Sequence, residues 1–263
     1  MLLKIEPSRL SGKVTAPPSK SMAHRLLICA GLSQGESTVR NIAYSEDILA
    51  TIDCLEAMGA GIKKDGDTVT VKGTVPRRAP ECRYFCRESG STLRFFVPIA
   101  MLSESKSHFV GYGRLMERPM SVYESIAKEK AIIYEKTAQG ICVGGTLTCG
   151  RFVLPGDVSS QFVSGLLFAL SLCEGDSTIE LTGSIESKSY IDMTLDAMAL
   201  FGVKAHWQNE NTLFVSGNQT YKANDITNEG DWSNAAFLDA FNVLGADVKV
   251  TGLCESSKQG DKV

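Results

Sequence analysis

Long apolar runs, a net positive charge and a secretory leader are all missing from this 263-residue sequence. No uninterrupted apolar run approaches the roughly 18 residues that a membrane helix needs, and the amino terminus, MLLKIEPSRLSGK, lacks the apolar core of a signal peptide. Lys and Arg total 27 against 30 Asp and Glu, so no global basic field attracts nucleic acid. We predict a cytoplasmic protein that binds neither membranes nor nucleic acid.

Histidine is scarce, and the eight cysteines are scattered. His24, His108 and His206 lie far apart in sequence, and the close pair Cys82 and Cys86 has a wider spacing, CRYFC, than a zinc knuckle. Several other cysteines lie in apolar runs, which is typical of small buried residues that stay reduced. We therefore predict no metal site.

Motifs of three common enzyme classes are absent too. The sequence contains no G-x-x-x-x-G-K-[ST], and Gly111-Tyr-Gly113 continues as Arg-Leu-Met, so neither a P-loop nor a dinucleotide fingerprint occurs. No G-x-S-x-G nucleophile elbow occurs either. The sequence therefore supports neither a nucleotide-binding fold of these types nor a serine hydrolase.

What the sequence does contain is an internal repeat. A pattern of Asp, five residues and Gly ends three helix-like stretches, at Gly59, Gly202 and Gly245, and each glycine suits the left-handed cap that ends a helix. Alternating segments typical of strands follow them. The repeating unit therefore reads as helix, strand, helix, strand, strand.

Three copies of this unit predict an α+β domain with threefold pseudo-symmetry. Two clear copies cover residues 17–73 and 155–217, and a third covers 89–145, where EKAIIYEK replaces the expected glycine turn. A further copy starts at Gly230 and stops unfinished at Val263. We expect such an incomplete domain to expose apolar surface.

The predicted division of the chain has three parts. Residues 1–14, which include the strand-like LLKIEP, belong to the second, incomplete domain. Residues 15–229 form the domain of three repeats, and residues 230–263 begin the second domain.

The first helix of each repeat opens with small hydroxyl residues, as PPSKSMAHR, ESGSTLR and DVSSQF. Taken singly, Ser19, Ser89 and Ser159 are ordinary helix caps. If pseudo-symmetry brings the three N-termini to one face, their free N–H groups form an anion-binding patch. Four cations near these helix starts suit pairing with phosphate or carboxylate. They are Lys20, Arg25, Arg94 and Arg118.

Five blocks carry a family resemblance: PPSKSMAHRLLICAGLSQGES, ESGSTLRFF, GRLMERPM, DVSSQFVSGLL and ESKSYIDMTL. In this order they resemble the opening motif, the phosphoenolpyruvate loop, the Arg-Pro segment, the Ser-Ser-Gln block and the Ser-Lys-Pro-Tyr-Ile-Asp block of the EPSP synthase family. They span Pro17 to about Gly252. The resemblance implies an inside-out α/β barrel, or prism, of three βαβαββ-like repeats, followed by an incomplete second domain of the same type.

The resemblance also implies a reaction of the shikimate pathway, in aromatic amino-acid (chorismate) biosynthesis. The 5-hydroxyl of shikimate 3-phosphate adds to C2 of phosphoenolpyruvate, and the tetrahedral intermediate expels phosphate, so that the enolpyruvyl group is transferred. Neither a metal nor an organic cofactor is needed. Both substrates are anions, which agrees with the patch inferred from the helix starts.

Site residues follow from the matching blocks. Shikimate 3-phosphate would be held by Lys20, Ser21, Arg25, Ser159, Ser160, Gln161, Ser187 and Tyr190. Phosphoenolpyruvate would be held by Lys20, Gly90, Arg94, Arg118 and Gln161. Lys20 would touch both substrates and is the candidate for proton transfer. A side chain at Gly90 would block the close approach of backbone to ligand.

Two departures from the family bear on activity. Glu88 stands where many relatives have Asn, and Ser91 where they have Thr; a carboxylate beside an anion is unfavourable unless it is paired or turned away. The family's second domain also supplies acidic and basic residues to the site, and closure of both domains organises the charges. We therefore expect this chain alone to bind substrate but to be inactive or nearly so without a missing C-terminal segment.

Three alternatives stay open. The UDP-N-acetylglucosamine enolpyruvyl transferases share the fold and the phosphoenolpyruvate chemistry, but they carry a reactive cysteine before the Arg-Pro segment, where this sequence reads GYGRLMERP. RNA 3′-phosphate cyclases have related repeats, which the net charge of −3 disfavours. A module that binds shikimate 3-phosphate without turning it over is the rival from another functional class.

Overall fold

A computed structural model of the protein describes residues 9–76 and 81–262. The helices in these ranges are α1 Lys20–Leu32, α2 Glu46–Met58, α3 Gly90–Ala100, α4 Ser121–Glu129, α5 Ser160–Leu170, α6 Lys188–Leu200 and α7 Trp232–Val243. The strands of the first half are β1 Ser11–Thr15, β2 Ser33–Gln34, β3 Glu36–Arg40, β4 Gly61–Asp65, β5 Thr68–Lys72, β6 Cys82–Phe85, β7 Ser107–Val110 and β8 Ile133–Lys136. Those of the second half are β9 Ile141–Gly144, β10 Gly150–Pro155, β11 Ser177–Thr182, β12 Ala205–Trp207, β13 Thr212–Val215, β14 Tyr221–Lys222, β15 Asp225–Thr227 and β16 Asp247–Thr251.

Three four-stranded sheets repeat one topology, with the strand orders β15-β3-β5-β4, β6-β7-β9-β8 and β10-β11-β13-β12. In each sheet the first pair of strands is parallel and the other two pairs are antiparallel. A parallel pair needs a crossover connection, and α3 and α5 provide it in the second and third sheets. In the first sheet, β15 comes from the far end of the domain and closes the ring of repeats. The predicted three-repeat α+β fold is confirmed.

Helices fill the interior and the sheets surround them. Contacts link α1 to α2, α2 to α3, α3 to α5, α5 to α6 and α6 back to α1, so that five helices form a closed ring. Nearly every residue of α1, α3 and α5 is buried, which is the pattern of a helix that is apolar on all sides. In the strands, buried residues alternate with more exposed ones. On β5, Val69 and Val71 face the core, and the residues beside them are partly or fully exposed. This is the inside-out barrel that the resemblance implied.

The close contact between α3 and α5 depends on Gly165. A Cβ atom there would lie 2.4 Å from the carbonyl oxygen of Arg94 and 3.0 Å from the ring of Pro98. Real Cβ atoms do not come so close to backbone oxygen, so a larger residue would push the helices apart. Gly165 therefore sets how closely α3 and α5 pack against each other.

The three predicted glycine caps are confirmed, because Gly59, Gly202 and Gly245 all have positive φ, of 103°, 78° and 91°. The middle repeat, which lacks this glycine, uses Ala131 in its place, with φ of 55°. An alanine in this region is strained relative to glycine. The middle copy therefore keeps the same turn and the same sheet topology although it lacks the glycine.

The segment after residue 229 pairs with the amino-terminal strand. β1 runs parallel to β16, from Ser11 opposite Asp247 to Thr15 opposite Thr251, whereas the strand-like LLKIEP lies outside the described residues. Most of α7 has little cover: Phe237 is 75% exposed, and Leu244, which follows the helix, is 83% exposed. An exposed apolar face of this kind is a surface on which other protein normally packs.

The described ranges offer neither a membrane-spanning helix nor a metal-binding cluster. No helix within residues 9–76 and 81–262 has both the length and the apolar character needed to cross a membrane. Within the same ranges, no three His, Cys, Asp or Glu side chains are grouped in a way that could hold a metal ion.

Candidate functional site

The first turns of α1, α3 and α5 meet around a cavity of about 200 Å³. Its walls are formed by Lys20, Ser21, His24, Arg25, Ser91, Phe95, Ser159, Ser160, Gln161, Ser187 and Tyr190. All eight residues predicted to hold shikimate 3-phosphate are in this set, although they come from three separate parts of the chain. Pseudo-symmetry therefore brings the helix starts together as the sequence predicted.

Each of the three converging helices begins with a serine cap. The cap hydroxyls accept hydrogen bonds from first-turn amides: Ser19 from Met22, Ser89 from Thr92 and Ser159 from Gln161. A cap of this kind satisfies only part of the free N–H groups at a helix start, and the helix dipole adds partial positive charge there. Three such ends around one cavity favour a ligand that carries negative charge.

Arg25 places a full positive charge beneath the cavity, where its side chain is only 2% exposed. Its Nε donates to Thr194 Oγ1 at 2.7 Å, Nη1 to the Ser21 carbonyl at 2.6 Å and Nη2 to the Tyr190 carbonyl at 2.9 Å. Among the described residues, no carboxylate lies within ion-pair distance of the guanidinium. Burial lowers the pKa of Arg25 to about 10. An anion in the cavity would offset the cost of burying this charge.

Lys20 lies at the rim of the cavity and is not free. Its ammonium Nζ donates to Asp47 Oδ2 at 2.6 Å, and the lysine side chain is 52% exposed. Burial alone would raise the pKa of Asp47, but the hydrogen bond and the charge of Lys20 outweigh this effect, and the pKa is lowered. The hydrogen bond to Asp47 fixes where the Lys20 ammonium stands.

The residues predicted to hold phosphoenolpyruvate adjoin one side of the cavity. Arg94 Nη1 donates to Gln161 Oε1 at 2.7 Å, and Gln161 Nε2 donates to Ser91 Oγ at 2.7 Å. Arg118 packs against Gly90 so closely that a Cβ at position 90 would lie 2.7 Å from its Nη1. The structure therefore brings all the predicted residues of this subsite together.

Two guanidinium groups share this subsite. Burial lowers the pKa of Arg94, and the nearby positive charge of Arg118 lowers it further. The buried Nε of Arg94 has no hydrogen-bond partner among the described residues. Like charges kept close without a carboxylate between them are typical of an anion site.

Ser187 and Tyr190 approach the cavity from the start of α6. Ser187 has left-handed backbone angles, φ 56° and ψ 38°, which costs a non-glycine residue about 1 kcal/mol or more. Its hydroxyl makes no capping bond to the helix that follows. The ring of Tyr190 lies against the guanidinium of Arg25, with 5.9 Å between the ring centroid and Cζ. The Ser187 hydroxyl is thus left available to a ligand.

Glu88, the unexpected acid of the phosphoenolpyruvate loop, is turned toward a neighbouring loop. Its Oε1 accepts a hydrogen bond from the Arg114 amide at 3.1 Å. Gly113, with φ of 59°, leaves room for this carboxylate, since a Cβ there would lie 2.3 Å from Glu88 Oε1. This contact satisfies the condition under which a carboxylate is tolerated near an anion.

Sequence reasoning missed four residues at or next to the cavity. His24 and Phe95 line it, and Asp47 holds Lys20 while Thr194 holds Arg25. Acidic residues in the first turn after the cap Ser45 read as an ordinary helix start, so Asp47 carries no separate signal. The spacing of Lys20 and His24, four residues apart on α1, is the one signal that places His24 on the cavity side.

Comparison with known proteins agrees with these blocks. The sequence model for EPSP synthase (3-phosphoshikimate 1-carboxyvinyltransferase) matches residues 5–263. A protein of Clostridium botulinum named 3-phosphoshikimate 1-carboxyvinyltransferase is 45% identical over 269 residues, which cover 98% of this chain and 61% of the relative. A protein of Clostridioides difficile with the same name is 41% identical over 271 residues, 98% of this chain and 62% of the relative.

Solved structures give the same fold. A structure of EPSP synthase from Acinetobacter baumannii superposes with a TM-score of 0.81 over 94% of this chain and 57% of that chain, at 24% identity. The chain spans about three fifths of the length of the curated relatives it matches. Because the family match extends over nearly the whole sequence, the chain belongs to the EPSP synthase family.

Proposed function

We propose that this chain binds shikimate 3-phosphate and phosphoenolpyruvate for enolpyruvyl transfer in aromatic amino-acid biosynthesis in the cytoplasm. The observation that carries the proposal is the convergence of three helix N-termini on a cavity with the buried charge of Arg25 beneath it. This arrangement suits a phosphorylated acid better than a neutral ligand. The names of the relatives supply the identity of that acid.

Shikimate 3-phosphate fits the cavity itself. We assign its anionic groups to Arg25 and to the hydroxyls and amides at the starts of α5 and α6, from Ser159, Ser160 and Ser187. The exposed hydroxyl of Ser187 and the half-buried ring of Tyr190 would close over the ligand. Short hydroxyl side chains at helix starts donate to phosphate without adding bulk.

Phosphoenolpyruvate fits the adjoining subsite. Gly90, Arg94, Arg118 and Gln161 surround a position next to the cavity, and Gln161 touches both subsites through its contacts to Arg94 and Ser91. The two guanidinium groups would pair with the phosphate and carboxylate of the ligand. Their charges would also stabilise the phosphate that leaves in the second step of the reaction.

Lys20 lines the cavity at the start of α1. We assign it to proton transfer between the 5-hydroxyl and the phosphoenolpyruvate side, because it lies within the lining of the cavity and its contact with Asp47 fixes the position of its Nζ. In the addition, the 5-oxygen bonds to C2, the C2=C3 double bond opens, C3 gains a proton and the hydroxyl proton leaves; in the elimination, the C2–O bond to phosphate breaks and C3 loses a proton, which restores the double bond. A charged amine beside these oxygens can donate a proton or stabilise negative charge.

Turnover is a separate matter from binding. We propose that residues 15–229 form the binding domain, and that residues 1–14 and 230–263 belong to a second domain whose remaining segment is needed for activity. The share of the relatives that the chain spans supports this division, as does the pairing of β1 with β16. The same observations favour the second candidate, a module that binds without turnover.

Calorimetric titration of the chain with shikimate 3-phosphate tests the proposal. We expect one site per chain, weakened as ionic strength rises because the contacts are charged. Phosphate release would then be assayed with and without the remaining segment. Absence of binding would reject the site assignment, and full turnover by the chain alone would reject the need for another segment.

Substitution of Gly90 by alanine tests the phosphoenolpyruvate subsite. The new methyl group would displace the end of the Arg118 side chain, which it would otherwise meet at 2.7 Å. We expect the affinity for phosphoenolpyruvate, measured with shikimate 3-phosphate present, to fall about tenfold, the equivalent of one displaced charged contact. Affinity for shikimate 3-phosphate alone should stay within about twofold, since Gly90 does not line its cavity.

The matched control is Gly61→Ala on β4. There the added Cβ would meet Lys72 Cβ at 3.4 Å and the Lys72 carbonyl oxygen at 4.0 Å, both ordinary contacts, so both affinities should be unchanged. Neither glycine has positive φ, so backbone strain does not distinguish them. Equal losses in the two variants would contradict the assignment of Arg118.

A further inference from the structure

A closed ring of polar side chains joins the starts of three helices beside the cavity. His24 Nδ1 lies 2.7 Å from Thr51 Oγ1, and Thr51 Oγ1 lies 2.9 Å from Thr92 Oγ1. Thr92 Oγ1 is placed to donate to Ser89 Oγ at 2.8 Å and to the Asp47 carbonyl at 3.3 Å. Asp47 in turn accepts from Lys20, which is one helical turn before His24 on α1. The ring thus connects α1, α2 and α3.

The protons in this ring can be assigned by counting donors. The Asp47 carbonyl only accepts, and the Thr92 hydroxyl is the donor both to it and to Ser89 Oγ. Thr92 has then used its one proton, so it accepts from Thr51, and Thr51 accepts from an N–H on Nδ1 of His24. All bonds therefore run in one direction, from His24 to Asp47. Nε2 of His24, which is buried and has no partner among the described residues, is the unprotonated nitrogen.

Burial makes this direction hard to change. Thr51 and Thr92 are fully buried, and His24 is 2% exposed. A hydroxyl that reversed its bond here would leave another group without a partner, and water cannot replace that partner. The ring is therefore a rigid connection between the ammonium of Lys20 and the N-terminus of α3.

We propose that His24, Thr51 and Thr92 are positioning residues that hold Lys20 and the Gly90 end of α3 at a fixed separation. This inference rests on the proposed function, because it assigns Lys20 to both ligands and the start of α3 to phosphoenolpyruvate. None of the three residues needs to touch a ligand. The ring instead aligns the two subsites before either ligand arrives, and such preorganisation raises the affinity for the second ligand.

Substitution of Thr51 by valine breaks the ring at its middle without changing side-chain shape. We expect the affinity for phosphoenolpyruvate, measured with shikimate 3-phosphate present, to fall about tenfold, whereas affinity for shikimate 3-phosphate alone changes by less than about twofold. Thr51→Ser keeps the hydroxyl and should restore the wild-type value. If substitution at Thr51 damaged the fold in general, both affinities would fall, and Thr51→Ser would not restore them.

Nitrogen-15 spectra of the imidazole rings test the direction of the ring without any ligand. The chain has three histidines, so the signals can be assigned by substituting His108 and His206. We expect His24 to carry its proton on Nδ1 in the wild type, and to populate the Nε2–H form in Thr51→Val. A wild-type His24 protonated on Nε2 would overturn the inference.

A second pair of variants guards against a Thr51→Val chain that does not fold. His24→Asn places an amide N–H where Nδ1 stands and should bind phosphoenolpyruvate as the wild type does, whereas His24→Leu should lose about tenfold. If the wild type bound both ligands and neither Thr51→Val nor His24→Leu lost affinity for phosphoenolpyruvate, the inference would be overturned and the proposed function would stand. A wild type that binds neither ligand would overturn the proposed function instead.

Discussion

Replacing Arg25 with methionine is expected to remove measurable binding of shikimate 3-phosphate, with a loss of more than about 100-fold in affinity. Methionine has nearly the length of the arginine stem but carries no charge, and Arg25 is the charged group beneath the cavity. An anion in this buried place would lose its counter-charge and several donors together. Calorimetric titration would measure the loss.

Stability should change much less than binding in the Arg25 variant. The ligand-free fold buries an arginine without a carboxylate partner among the described residues, and that burial lowers the pKa of Arg25 to about 10. Methionine relieves this cost but leaves Thr194 Oγ1 and two carbonyls without their donor. We expect these effects to offset each other, so that the free energy of unfolding changes by less than about 2 kcal/mol.

Two further variants complete this test. Arg25→Lys keeps the charge but not the planar fork, and should retain part of the affinity. Arg151→Met removes an exposed arginine paired with Glu180 on the outer sheet and should leave binding unchanged. If Arg25→Met bound shikimate 3-phosphate as the wild type does, Arg25 would be only a structural residue.

The repeat was readable from sequence because each copy has strong local signals. Gly59 and Gly202 end their helices in the left-handed conformation that the pattern predicted, and Ser19, Ser89 and Ser159 are the predicted caps. These features depend on residues within one or two turns of each other. The family blocks, and not local chemistry, named the eight residues predicted to hold shikimate 3-phosphate, and the structure gathers these residues around one cavity.

Long-range pairings left no such signal. β15 completes the first sheet by pairing Asp225–Thr227 with Thr38–Arg40, almost the whole domain away in sequence, and a three-residue strand is too short to show periodicity. The guanidinium of Arg25 donates to Thr194 Oγ1 and to the Tyr190 carbonyl, which lie on another repeat. The sequence therefore predicted which residues meet at the cavity but not which of their donors are already in use.

The polar ring is a sharper example of the same limit. Thr51 and Thr92 each read as one more small residue in a buried helix, and Asp47 as part of an acidic first turn. Their roles appear only when three helices are placed against one another. A threonine hydroxyl in a helix usually bonds to its own backbone, so a network between helices cannot be inferred from one sequence.

Stability is expected to fall as the pH is lowered from 7 to 5, and His24 to account for a loss of about 2 kcal/mol. Burial lowers the pKa of His24 from 6.5 to about 3. The negative charge of Asp47 opposes this shift, and the positive charges of Arg25 and Lys20 add to it. Between these two values the unfolded chain binds a proton at His24 that the folded chain does not. The stabilising contribution is therefore complete above pH 6.5 and is lost progressively toward pH 3.

Urea unfolding of the wild type and of His24→Asn at both pH values measures this contribution. Asparagine keeps a donor for Thr51 but does not titrate. The free energy of unfolding of the variant should therefore fall less than that of the wild type between pH 7 and 5, by about 2 kcal/mol. His206→Asn removes an exposed histidine and serves as the control. Equal pH dependence in the wild type and His24→Asn would mean that the imidazole is protonated within the fold, and would contradict the neutral, Nδ1-protonated form on which the ring depends.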